Sequence, residues 1–204
     1  MAGQLFTSYV LWKDLIKLEV KMKKIRSGTI LISEPFMGDP NFERTVVLVC
    51  RHDEEGSFGL VLNRKSNLKL SDVLDIEQYN TDMELNIGGP MQYNTLHYIH
   101  QVEALEEAIS LGNSVYWGGD YEKLKVLLAT GSIAADDIRF FLGYSGWSPG
   151  QLEEEIENNV WIVNNKATDN LFNLNQDTLW REILKEMGGK YKVLANYPID
   201  PSLN

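Results

Sequence analysis

Gly143-Tyr144-Ser145-Gly146-Trp147 is the passage of this chain that most invites a chemical reading. Strand-like residues Ile138 to Leu142 precede it and a helix start follows, the setting in which an esterase-type serine is presented. That chemistry needs glycine at the fifth place, so that neighbouring backbone can pass close to the serine, and Trp147 stands there. It also needs a histidine base held by an acid. In serine–acid–histidine order the base would follow Ser145, and no histidine follows His100. The pattern predicts a tight turn feeding a helix, and no residue is assigned a catalytic role. The alternative reading is a hydrolase using Ser145, or a carboxylate with His52.

The remaining reactive side chains are sparse. On a strand, His97 and His100 are three apart and point to opposite faces, so they cannot share a metal. There is no HExxH, CxxC or His/Cys cluster, and Asp53-Glu54-Glu55 lacks the alternating ligand spacing of a calcium loop. Neither a metal nor a cofactor is expected. Cys50 lies in an apolar run, where burial suppresses thiolate formation. The glycines form neither GxGxxG nor a P-loop and mark strand ends instead.

One group of polar and aromatic residues sits beside glycines and at strand ends, where binding surfaces are commonly built. It comprises Asp39, Arg44, His52 and Asn63 in the first half, and Tyr144, Trp147 and Gln151 in the second. These form the candidate ligand or partner surface; structural turn roles are the competing account.

The elements that would position them follow from periodicity. Thr29–Ile32, Thr45–Cys50 and Phe58–Asn63 read as strands, the last two as a hairpin with a longer loop. Thr45-Val46-Val47-Leu48-Val49-Cys50 is apolar on both faces, as a central covered strand must be. Ser71 or Asp72 could cap a short helix reaching Leu74. Further strands are expected at Glu84–Ile87, Thr95–Gln101, Ser114–Trp117, Ile138–Leu142 and Val160–Val163. Asp120 caps a helix to about Ala129, with Gly131 just past its end. Ser148, Pro149 and Gln151 read as a capping box with proline at the first helical position. Leu179, Ile183 and Met187 define one side of a helix from Thr178, stopped by Gly188-Gly189. Strands outnumber helices and some are hairpin partners, which favours an α+β fold over a doubly wound parallel sheet.

The 204 residues fit one domain, large enough to form a core without a disulfide or structural metal. A single cysteine gives no sign of secretion, no apolar run is long enough for a membrane-spanning helix, and a cytoplasmic location is expected. Residues 1–24 hold five lysines against Asp14 and Glu19, a net +3, which leaves −13 for the remainder of a chain at −10. An acidic body repels phosphate backbones, so direct nucleic-acid binding is disfavoured. In residues 1–24, Leu5, Tyr9, Trp12, Ile16 and Val20 recur at helical spacing. Met22 offers an alternative start that would make the first 21 residues an extension. A docking helix ranks next and a membrane-surface helix last.

Several passages together resemble a known family. They are Gly28-Thr29-Ile30-Leu31-Ile32-Ser33-Glu34-Pro35 running into Met37-Gly38-Asp39-Pro40-Asn41-Phe42-Glu43-Arg44-Thr45-Val46-Val47-Leu48, then His52 to Gly56 leading into Gly59-Leu60-Val61-Leu62-Asn63-Arg64. Gly88-Gly89-Pro90 and Gly143 to Glu153 follow in order. Residues 25–204 are similar to the bacterial YqgE/AlgH family, with residues 1–24 outside it as an N-terminal extension. The resemblance implies a single compact α+β domain with a curved, barrel-like, mostly antiparallel or mixed sheet and flanking helices. It implies no catalytic residue. The AlgH branch carries the label of transcriptional regulator, which the acidic body and the absence of a helix-turn-helix pattern direct toward a protein partner rather than DNA. The expected function is therefore a non-catalytic binding or regulatory module acting through an unidentified protein or small ligand. The oligomeric state is left open.

Overall fold

Ten strands form one sheet in the computed structural model, which describes residues 25–74, 83–103, 105–165, 171–172 and 175–198. The predicted helix in residues 1–24 and the residues after 198 lie outside this set. The strands are β1 Ile30–Ser33, β2 Val46–Asp53, β3 Gly56–Val61, β4 Lys65–Lys69 and β5 Glu84–Ile87, followed by β6 Met91–His100, β7 Ile109–Gly112, β8 Val115–Trp117, β9 Ile138–Trp147 and β10 Trp161–Asn164. Among the described residues four α-helices accompany them: α1 Tyr121–Ala129, α2 Gln151–Glu157, α3 Leu179–Met187 and α4 Gly189–Leu194.

The sheet runs β10-β1-β2-β3-β9-β6-β8-β7, with β5 joining β4 to β9 off that path. Every pairing is antiparallel except β5 with β9. The sheet curls: Gly28, beside β1, packs so closely on Leu111 of β7 that an added Cβ would lie 1.9 Å from its carbonyl oxygen. The ends β10 and β7 do not pair, so it is not closed into a barrel.

β9 is the hub. Its first half is flanked by β5 and β6, and its second half pairs with β3. Ile138, Phe140 and Leu142 face one way; Gly143, at φ 65°, resets the alternation, so that Tyr144 joins the face of Phe141. Positive φ is strained for residues with a Cβ, so glycine belongs here. The predicted turn at Gly143–Trp147 is thus a correction: the strand continues through it to Trp147.

One large core lies on one face of the sheet. It takes Ile30, Leu48, Leu60 and Phe141 from the strands and Leu179, Trp180, Ile183 and Leu184 from α3. The opposite face is divided. Leu152 of α2 packs there with Leu31, Val47, Trp147 and Val163, while Leu124 and Leu128 of α1 pack with Leu85, Tyr98 and Phe140. Fully burying a side chain of this size contributes about 1.5–3 kcal/mol, so such layers dominate the stabilisation.

Several local expectations hold, and others shift. Asp120 accepts hydrogen bonds from the Glu122 and Lys123 N–H groups, and α1 ends at Ala129 as expected. α2 instead begins at Gln151, behind Gly150 at φ 77°. Half of the expected capping box survives, with the Ser148 N–H donating to Gln151 Oε1 at 3.0 Å. The β2–β3 hairpin is tighter than expected, with Asp53 paired to Gly56 across Glu54-Glu55. The helix expected near Leu74 is a single 3₁₀ turn, Leu70–Asp72. Strands β4 and β7 and helix α4 were not anticipated; β4 is polar and exposed, and so carries little hydrophobic signal.

Candidate functional site

The seven candidate residues divide into groups. His52, Trp147 and Gln151 meet around α2. His52 lies directly across the hairpin from Ser57, with Nδ1 2.8 Å from Ser57 Oγ, and its Nε2 lies 3.6 Å from Glu153 Oε1. Trp147, on the strand next to Ser57, donates its indole N–H to Glu155 Oε2 at 2.8 Å. Trp161 donates to the same oxygen at 2.7 Å, and Gln151 Nε2 donates to Oε1 at 2.9 Å. Phe42 stacks near Trp147 and meets Trp161 edge-on, with ring centroids 5.4 Å apart in the second pair. This network clamps α2 and the β1–β2 loop onto the sheet.

Arg44 and Asn63 form a second group. Asn63 Oδ1 accepts the Val46 N–H at 2.8 Å, and its Nδ2 donates to the Arg44 carbonyl at 2.9 Å. Arg44 Nη2 donates to the carbonyls of Tyr197 and Pro198, and its guanidinium lies over the Trp180 ring. Burial pushes the Arg44 pKa down, and neighbouring Arg181 adds to this. Arg44 thus ties the C-terminal segment to the sheet, and Asn63 holds the backbone at Arg44 and Val46. Asp39 stands apart in an exposed turn, where its Oδ1 accepts the Asn41 N–H at 2.8 Å.

Tyr144 lies on the opposite face from Trp147 and belongs to an aromatic patch. Its ring stacks on Phe58 of β3 at 4.6 Å; Phe58 stacks on Trp117 of β8 at 4.7 Å and meets His97 of β6 edge-on at 5.0 Å. All four rings are half-buried. Beside them, β6 bulges between Met91, paired with Tyr144, and Leu96, paired with Leu142. The bulge leaves Met91 46% and Tyr93 56% exposed. Thr95 Oγ1 lies 3.1 Å from His97 Nε2, and burial pushes the His97 pKa down. Sequence reasoning missed Phe58, His97 and Trp117, because strand aromatics read as core and His97 was weighed only as a metal ligand. The signal that could have found them is the placement of aromatic residues on strands that turn out to be neighbours.

Ser145 is fully buried, and its hydroxyl donates to the Gly88 carbonyl at 3.1 Å. It holds the junction where β5 gives way to β3, and cannot reach a substrate from there. His97 and His100 do face opposite sides, one toward the large core and one toward the α1 layer. Among the described residues no three His, Cys, Asp or Glu side chains gather at metal-binding distance.

The sequence model of the AlgH-like family, DUF179, matches residues 30–192. The chain belongs to the AlgH-like family. A UPF0301 protein of Cytophaga hutchinsonii is 43% identical over 182 residues, spanning 88% of this chain and all of that relative. One from Bacteroides fragilis is 38% identical over 191 residues, covering 94% of this chain and 97% of the relative. The solution structure of the AlgH protein from Pseudomonas aeruginosa superposes with a TM-score of 0.65 at 28% identity, covering 83% of this chain and 93% of that one. A Corynebacterium diphtheriae protein, DIP2367, shares the fold at a TM-score of 0.69 and 23% identity, over 85% of this chain and 93% of its own. None of these names states an activity.

Proposed function

We propose that this AlgH-like chain is a non-catalytic binding or regulatory module that engages a protein partner through its aromatic patch. The observation that carries the reading is the set Phe58, His97, Trp117 and Tyr144, stacked and half-buried, with exposed Met91 and Tyr93 at its rim. Aromatic side chains and methionine are enriched at interfaces, and tyrosine and tryptophan give large contact area at little entropic cost. The acidic body argues against DNA as the partner. The lone, buried Cys50 suits a reducing cytoplasm. Residues 25–204 are read as the working unit and 1–24 as an extension, in keeping with a family match that begins at residue 30.

The test is photo-crosslinking from position 93 in cells, with Tyr144→Ala as control. A specific adduct with one protein, lost in a folded Tyr144→Ala chain, supports the reading. An adduct pattern unchanged by the substitution counts against it.

A second reading, a hydrolase, draws on the order Glu153–His52–Ser57. In it the Ser57 hydroxyl donates to His52 Nδ1, and Nε2–H faces the carboxylate. Labelling of Ser57 by a fluorophosphonate, abolished in His52→Ala, would establish it. An unlabelled wild-type chain would remove it.

A further inference from the structure

The apolar layers on the two faces of the sheet come together at its β10 end. Ile162 of β10 packs against the large core with Tyr191 and Leu194 of α4, while Trp161 belongs to the opposite layer with Ile156 of α2. Residues of both layers line one cavity of about 310 Å³. Its lining also holds one acid, half-buried Glu34 just past β1, and one base, exposed Lys190 of α4. The Lys190 ammonium lies over the Tyr191 ring, 5.3 Å from its centroid, a contact that favours keeping the charge beside the cavity. Among the described residues no salt bridge includes Glu34 or Lys190, so the two charges share a cavity without neutralising each other.

We propose that this cavity binds a free α-amino acid with an apolar side chain. The Glu34 carboxylate accepts from the ligand's ammonium group, and the Lys190 ammonium donates to its carboxylate. The ligand's side chain packs on the apolar wall of Trp161, Ile162 and Leu194. Ligand pockets begin near ~300 Å³, so this one holds a single small molecule. Charge narrows the class further. A purely anionic ligand meets Glu34 and a chain of net charge −10, and a purely cationic one meets Lys190. A zwitterion satisfies both groups at once. The site is separate from the aromatic patch, because β1 and β2 stand between β10 and β3 in the sheet.

Titration of the full-length chain with L-leucine, L-valine and L-phenylalanine, followed by NMR of the backbone amides, tests this. The expected result is a saturable shift at Glu34, Ile162, Lys190 and Tyr191 with at least one of the three. The amide of the tightest binder lacks the carboxylate, and its N-acetyl derivative lacks the ammonium. Each derivative is expected to bind about fivefold or more weakly than the parent amino acid. Glu34→Gln is expected to remove the preference over the N-acetyl derivative, and Lys190→Met the preference over the amide. The absence of any saturable shift at millimolar amino acid overturns the proposal, as do shifts confined to other residues. Equal affinity for the parent and both derivatives also overturns it, since the cavity is then only an apolar cleft. The comparison of ligands on the wild-type chain decides the matter even if a substituted chain does not fold.

Discussion

Glu155 accepts hydrogen bonds from two indoles, and both tryptophans are almost fully buried. Truncating it to alanine leaves two buried N–H groups without a partner, at roughly 1–3 kcal/mol each. Glu155→Ala is therefore expected to lower stability by about 2–4 kcal/mol, read from the urea midpoint. His100 is the second residue on which stability turns. It is fully buried, its Nδ1 accepts the Val102 N–H at 3.1 Å, and its Nε2 donates to the Gly118 carbonyl at 2.8 Å, an arrangement only the neutral ring can make. Burial pushes its pKa below 6.5, with the bond to Gly118 acting the other way. The unfolded chain therefore takes up the proton first. The stability contributed by the neutral ring is complete above a pH of about 6.5 and is lost as pH falls through the folded value. The urea midpoint is expected to fall across that window, and to fall less in His100→Gln. His97, lowered by the same cause, contributes in the same direction in both chains.

β9 decides the arrangement of elements. At Gly88-Gly89 the chain crosses so close to β9 that a Cβ on Gly89 would lie 2.3 Å from the Tyr144 carbonyl carbon. The Gly88 carbonyl there accepts from both the Val61 N–H and the Ser145 hydroxyl. Gly89→Ala must push two strands apart, and at φ 155° no rotamer relieves the contact. We expect a loss of about 3 kcal/mol or more, or failure to accumulate folded protein, read by thermal melting beside Gly38→Ala, where the added Cβ meets nothing. Gly28, Gly56, Gly88, Gly89 and Gly143, all within the recognisable motifs, are thus explained by close backbone approach, which sequence reading took for turns, whereas Gly38 and Gly150 meet nothing. The helix at 121–129 was legible because its cap and stop are local signals. The continuation of β9 through Gly143–Trp147 was not, because it depends on partners β3 and β6, which lie far away in sequence.

At the scale of the whole molecule, the continuous core behind the sheet ties the two halves together. Residues from β1, β2, β3, β6, β8 and β9 share it with α3. Trp180 Nε1 donates to the Ser33 carbonyl, and Arg139 Nη2 to that of Phe172, so polar ties reinforce the same layer. Neither half can bury its face alone, and a single cooperative transition is expected. Urea unfolding followed by tryptophan fluorescence and by far-ultraviolet circular dichroism should give coincident curves. Separate midpoints would mean that the α1 layer, which has its own apolar cluster, melts by itself.

Periodicity and turn chemistry determined most strands and the α+β class, because each rests on side-chain types within a few residues of one another, while the family resemblance was carried by several motifs in order along the chain. They also separated His97 from His100, since a three-residue offset on a strand is a local fact. Only the tertiary structure decided what the candidate residues do. Arg44, Asn63, Trp147 and Gln151 are tied to backbone or to Glu155, whereas Tyr144 stacks with Phe58, which is linked to Trp117 and His97. Strand order is set by which apolar faces can be covered together, a property of the assembled sheet.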